Sequence, residues 1–129
     1  MKKFLQFFED RQKLTFMLAI LWTIVIFIGC SMPGRDLPKV NLFDNFDKVV
    51  HFTFFAVFFG LWFLITSKST KYALIIIVIS IIYGFSIEYY QLYCVAGRGF
   101  DVWDGVADGL GALCGWWVIR GINSAEVRS

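Results

Sequence analysis

The sequence predicts an all-α fold: a polytopic membrane protein with four transmembrane helices in a compact bundle, both termini cytoplasmic. Three observations predict it. Of the 129 residues, 58% are hydrophobic and only 17% charged, against about 25% charged in ordinary soluble domains. A soluble chain of this size would expose apolar patches and aggregate. Four stretches are long enough to cross a hydrocarbon core about 30 Å thick, which takes roughly 20 apolar residues. Lys and Arg also fall unevenly on the two sides that those spans define. The same composition excludes a disordered segment. It excludes a nucleic-acid partner as well, because 12 Lys+Arg against 10 Asp+Glu leave a net charge of only +2, without a dense basic stripe. The spans read as helices, since open sheet edges are not tolerated in lipid and the alternation of a barrel is absent.

In chain order, residues 1–13 form a short amphipathic segment. Phe4, Leu5, Phe7 and Phe8 with Lys2, Lys3, Arg11 and Lys13 suit an interfacial helix, with a disordered tail as the alternative. The transmembrane domain covers 14–120, and 121–129 is a C-terminal tail. The first span, Leu14 to Gly34, carries no charge. A basic start before an apolar run also resembles a secretory signal, and Ile28-Gly29-Cys30 hints at a lipoprotein cleavage box. Phe27 stands where such boxes usually carry Leu, and the run is long, so a retained helix is the better reading. A connector, Met32–Lys48, leads to the second span, Val49 to Ser67, interrupted only by His51. A tight Ser67–Lys71 turn precedes the third, Tyr72 to Ile87, which Glu88 ends. After a Leu92–Gly99 loop, the fourth runs from about Asp101 to Ile119 and carries Asp104 and Asp108. Lys2, Lys3, Arg11, Lys13, Lys68, Lys71, Arg120 and Arg128 fall on one side; Arg35, Lys39, Lys48 and Arg98 fall on the other. The positive-inside rule makes the first side cytoplasmic and turns the connector and the Leu92–Gly99 loop outward. Cys114 reads as a packing residue in the fourth span. Cys30 and Cys94 stand near the outer surface, where oxidation is open, but their pairing cannot be deduced. Three cysteines without close spacing make no zinc site.

The informative residues are the polar ones. Asp47, Lys48 and His51 stand at the outer start of the second span, and Glu88 and Gln91 at the outer end of the third. Arg98 lies in the outer loop; Asp101, Asp104 and Asp108 open the fourth span. At about 100° per residue, Asp101, Asp104 and Asp108 share an arc of ~60°, continued by Gly111 and Gly115. Ser80, Gly84, Glu88 and Gln91 share one of ~80°, and Asp47 and His51 are one turn apart. Turning these stripes together, with small residues letting backbones approach, gives a bundle tight at one end and a polar pocket at the other. Asp108 lies about 18 Å along a helix from Arg120, hence inside the hydrocarbon. An ionised Asp there costs about 2.5–3.5 kcal/mol or more facing lipid, so it needs a partner: Arg98, Lys48 or His51. Bland roles compete. Asp101 and Asp104 suit a helix N-terminus by the macrodipole alone, Lys48 suits snorkelling, and His51 suits packing.

The order Ser31-Met32-Pro33, Asp47-Lys48-Val49-Val50-His51-Phe52, Gly84-Phe85-Ser86-Ile87-Glu88-Tyr89-Tyr90-Gln91 and Gly97-Arg98-Gly99-Phe100-Asp101-Val102-Trp103-Asp104, then Asp108 and Gly111, resembles the VanZ-like family of small bacterial membrane proteins. The family often carries Asn where this chain has Asp108. The resemblance implies a multi-pass protein of the bacterial cytoplasmic membrane, with an association of its founding member to teicoplanin resistance, but no settled activity. The residue inventory suits action on, or binding of, a phosphorylated lipid head group in cell-envelope metabolism, a polyprenyl phosphate for example. Arg98 and Lys48, with Gln91, Asp47 and Asp108, would bind it. His51, Glu88, Asp101 and Asp104 would be the catalytic groups. Glu88, Asp101 and Asp104 would ligate Mg²⁺, Mn²⁺ or Ca²⁺. A non-catalytic binding module with a structural polar network is the alternative, and a small transporter a weaker one.

Overall fold

A computed structural model describes residues 2–33, 45–66 and 68–126. Every regular element among them is an α-helix: α1 (Lys2–Glu9), α2 (Gln12–Cys30), α3 (Phe46–Leu64), α4 (Thr70–Cys94) and α5 (Val102–Glu126). Gly34, Arg35, Lys39, Ser67 and Arg128, which the orientation and span boundaries used, lie outside the described residues. Three helices, α2, α3 and α4, are long and apolar enough to cross a membrane. With 25 residues, α5 matches α4 in length, but Asp104, Asp108 and Arg120 make it more polar.

Helix ends differ from the apolar runs because a polar residue does not by itself stop a helix. Glu and Gln are good helix formers, so α4 continues through Glu88 and Gln91, both buried. Likewise α3 starts at Phe46, taking Asp47 and Lys48 into its first turn, and α5 continues past Arg120. At the start of α4, Ser69 acts as N-cap: its Oγ accepts from the Tyr72 amide, satisfying one of the donors a helix start leaves open.

Packing centres on α3, which lies closest to α5 and also meets α2 and α4. Small residues make the α3–α5 approach possible. A methyl on Gly111 would overlap the carbonyl oxygen of Phe52, and one on Gly115 would stand 2.8 Å from that of Ala56. Phe55 and Phe59 of α3 are completely buried. The joint to α2 is made by polar tips on aromatic bodies, which seek a partner when buried. Trp22 Nε1 donates to the Phe54 carbonyl (2.9 Å), Trp62 Nε1 to Thr23 Oγ1 (3.3 Å), and the Tyr83 hydroxyl to the Thr23 carbonyl (2.9 Å). At the end of the bundle where α3 finishes, Thr15 Oγ1 donates to the Phe8 carbonyl (2.6 Å) and Lys68 pairs with Glu9 (2.5 Å). These contacts hold α1 against the α3–α4 turn. Cys114 is exposed on the surface of α5 rather than packed inside, and all three cysteines are free, Cys30 buried and Cys94 exposed.

Candidate functional site

At the opposite end of the bundle, three elements and one loop bring the polar residues together. The first turns of α3 supply Asp47, Lys48 and His51. The last turns of α4 supply Glu88 and Gln91. The segment between α4 and α5 carries Arg98 and Asp101, and the start of α5 carries Asp104 and Asp108. Glu88 and Asp108 are completely buried, and Gln91, Asp104 and His51 nearly so. Asp47 is exposed at the rim.

Lys48 is committed to the protein. Its Nζ lies 2.6 Å from Asp101 Oδ2 and 3.0 Å from Asp104 Oδ1, with Asp47 Oδ2 farther at 3.7 Å. One ammonium therefore ties α3 to the start of α5. Lys48, expected from sequence to bind a substrate phosphate, is thus bonded to carboxylates of the protein here. Asp101 is held on both sides. Its Oδ1 accepts from the Trp103 amide at 2.8 Å, capping α5, and its own amide donates to Glu88 Oε2 at 2.9 Å. The Lys48 bond holds the Asp101 carboxyl below its ordinary value of 3.8, because a bonded cation favours the charged form.

Deeper in, His51 Nδ1 and Asp108 Oδ1 are 3.1 Å apart. Of the three partners that the sequence offers Asp108, it takes His51. The approach depends on Gly84 of α4, where a methyl would overlap the Asp108 carboxylate. The second oxygen, Oδ2, makes no hydrogen bond, and neither does Glu88 Oε1. Buried polar atoms are nearly always paired, with protein, ordered water or an ion, so both oxygens keep acceptor capacity at this site. Gln91, expected from sequence to bind substrate, donates from Nε2 to the Cys30 carbonyl at 2.9 Å, satisfying an open acceptor at the end of α2. Its Oε1 is also without a partner.

Two trios of ligand-capable groups each present atoms within 4.8 Å of one another: His51, Glu88 and Asp104, all buried, and Asp47, Asp101 and Asp104 nearer the rim. The grouping Glu88, Asp101 and Asp104 expected from sequence is divided between them, because Asp101 turns to Lys48 and to the Trp103 amide. Arg98 is half-buried. Among the described residues its guanidinium makes no hydrogen bond or ion pair. Its charge acts on Cys30 together with those of Asp108, Glu88 and Asp104, which puts it in the same neighbourhood. Among the described residues, five carboxylates (Asp47, Glu88, Asp101, Asp104 and Asp108) thus share this end with two permanent cations, Lys48 and Arg98, the first already bonded. The excess negative charge suits a cation, or an anion that brings one.

Sequence reasoning put Asp101 at a helix N-terminus but missed its side-chain cap on the Trp103 amide, and it missed the Gln91 bond to α2. The first had a signal in an Asp two residues before a helix-start amide; the second had none, since its acceptor is a backbone carbonyl 61 residues away. Elsewhere lies an apolar groove of about 680 Å³ between α1, α2, α3 and α5, lined by residues such as Leu21, Val25, Gly60 and Val118. It has no chemistry to offer.

A family model described as VanZ/LLP1 matches residues 14–123, nearly the whole helical bundle and every residue of the cluster. No curated protein and no solved structure matches the chain.

Proposed function

The chain belongs to the VanZ/LLP1 family and is a membrane protein, and from there we propose that it binds, and acts on, the phosphorylated head group of a membrane lipid. In this reading α5 is a fourth crossing helix, both termini are cytoplasmic, and the polar end faces the outer side of a bacterial cytoplasmic membrane. The substrate class is a lipid carrier of cell-envelope synthesis, a polyprenyl phosphate for example. A link to glycopeptide resistance of the teicoplanin kind would follow from changed handling of that carrier.

One observation carries the reading: Arg98 is a half-buried guanidinium that pairs with no carboxylate among the described residues, beside a buried cluster rich in acid–base groups. An Arg fork matches two phosphate oxygens, while Lys48 stays on Asp101 and Asp104. His51 and Glu88 supply either the acid–base groups that phosphoryl chemistry needs or ligands for a metal that activates water. The commitment of Lys48 favours a second reading, a binding module in which the network is structural and no bond is broken.

The test uses the purified full chain in nanodiscs with polyprenyl phosphate, polyprenyl diphosphate and phospholipids, following thermal stability and released phosphate. A phosphorylated lipid should stabilise the wild type, and Arg98→Ala should weaken that binding at least tenfold. Phosphate release would mark an enzyme, and binding without release a binding module. Equal binding by Arg98→Ala, or no response to any phosphorylated lipid, would overturn the head-group reading.

A further inference from the structure

We propose that His51, Glu88 and Asp104 hold a divalent transition-metal ion. The ion supplies the positive charge that a phosphorylated head group meets at this site; that second half rests on the reading above, the metal site itself does not.

Each of the three residues keeps a ligand atom beyond the bonds already made. His51 uses Nδ1 for Asp108, which leaves Nε2. Glu88 uses Oε2 for the Asp101 amide, which leaves Oε1, completely buried and without a partner. Asp104 uses Oδ1 for Lys48, which leaves its second oxygen. One ligand-capable atom from each lies within 4.8 Å of the others, close to the ~4.4 Å that two ligands can span across one ion bound at about 2.2 Å. The three come from α3, α4 and α5, so binding would lock the helices that form the polar end. The rim trio lacks these marks: Asp101 is bonded to Lys48, Asp47 is exposed, and no orphaned oxygen belongs to it.

The surroundings fit an ion better than an empty network. A metal-binding imidazole usually gives its other nitrogen to a carboxylate, which fixes tautomer and ring direction. Asp108 does this for His51, with Gly84 leaving it room. An Asn at position 108 would still accept a bond from Nδ1–H but would lack the charge that raises the basicity of Nε2. Two carboxylates neutralise a divalent charge, which makes burial tolerable where a lone ion would be expelled. The imidazole sets the preference. Oxygen ligands suit Mg²⁺, Ca²⁺ and Mn²⁺, whereas an imidazole favours Zn²⁺; Mn²⁺, at the weak end of the transition-metal series, is carried here by the two carboxylates together with the imidazole. Charge order follows as well. Before the ion arrives, the excess of carboxylates repels a phosphate; afterwards Arg98 and the metal face it together.

The experiment is calorimetric titration of the full chain in nanodiscs free of phosphorylated carrier lipid, with Zn²⁺, Mn²⁺, Mg²⁺ and Ca²⁺ each alone. One Zn²⁺ or Mn²⁺ per chain is expected, bound at least tenfold tighter than Mg²⁺ or Ca²⁺. His51→Gln and Glu88→Gln should each weaken it at least a hundredfold, Asp108→Asn about 10–100-fold, and Asp47→Asn should leave it unchanged. Should the inner variants fail to fold, electron spin-echo spectroscopy of Mn²⁺ on the wild type decides: modulation from one imidazole nitrogen supports the site, and its absence overturns it. No binding, or binding indifferent to His51→Gln and Glu88→Gln, also overturns it. Arg98→Ala should keep the metal and lose the phosphorylated lipid. Metal binding with no lipid response would sink the head-group reading alone, and lipid binding with no metal would sink this one alone.

Discussion

Asp101 shows how one residue serves structure and electrostatics at once. It caps α5 through the Trp103 amide and neutralises Lys48. Its carboxyl sits below the ordinary 3.8 in the folded protein, so in the unfolded chain it binds a proton more readily. Stability from this pair is therefore complete above pH 3.8 and is lost as pH falls through the depressed folded-state value. Asp101→Asn keeps an acceptor for the cap and removes the charge. Melting curves in detergent should show a gap between wild type and Asp101→Asn that is steady above about pH 5 and closes below pH 4. A gap that stays constant from about pH 5 down to about pH 2 would mean that the Lys48 pair contributes no charge-dependent stability. The carboxyl is partly exposed, so solvent screening keeps the gap small. At this scale the sequence was informative about which residues matter and silent about who bonds whom. His51, Glu88 and Asp108 stand out by being polar in or at the edge of apolar runs. That Lys48 chooses Asp101 and Asp104, leaving Arg98 without a carboxylate among the described residues, depends on side-chain reach from α3 to the start of α5.

Between elements, the closest joint is α3 on α5, and its register is set by what is missing. Gly111 lies where any side chain would collide with the Phe52 carbonyl oxygen, and that oxygen belongs to a helix that cannot yield locally without losing a hydrogen bond. One turn up on α5 is Asp108, and next to Phe52 on α3 is His51. The same contact therefore sets the distance between the two buried partners. Gly111→Ala should destabilise by about 1–3 kcal/mol through overpacking and should also weaken whatever binds at His51. Gly121→Ala, where nothing stands within 4 Å, should be neutral or stabilising by up to about 1 kcal/mol from helix propensity. Thermal unfolding of the two variants side by side is the check; equal behaviour would mean the helices do not rely on that approach. The helical stripes were legible because 3.6-residue periodicity puts Ser80, Gly84, Glu88 and Gln91 on one face whatever the neighbours are, and all four are buried. The helix ends were not, because the edge of an apolar run reports where hydrocarbon stops, whereas a helix continues until its backbone loses partners.

For the molecule as a whole, the polar cluster and the α1 tie lie at opposite ends, which turns orientation into a single question with two answers. Four crossings would return the chain to the side where it began and leave the cluster, with Cys94 close by, on the other. The positive-inside rule reads charges in short connecting segments, and part of that count, Arg35, Lys39 and Arg128, falls outside the described residues, so a direct probe is needed. The native cysteines provide one without substitution. Cys94 is exposed at the cluster end of α4, Cys30 is buried beside Gln91, and Cys114 is exposed on the apolar surface halfway along α5. A thiol reacts as its thiolate, which needs water, so Cys114 should stay silent wherever hydrocarbon covers α5. A membrane-impermeant maleimide applied to intact cells should therefore label the chain once, at Cys94, and Cys94→Ser should abolish the label. Labelling only after permeabilisation would put the cluster on the cytoplasmic side and require any lipid it binds to be met there. Labelling of Cys114 in intact membranes would mean that this part of α5 lies in water, and the bundle would then cross three times.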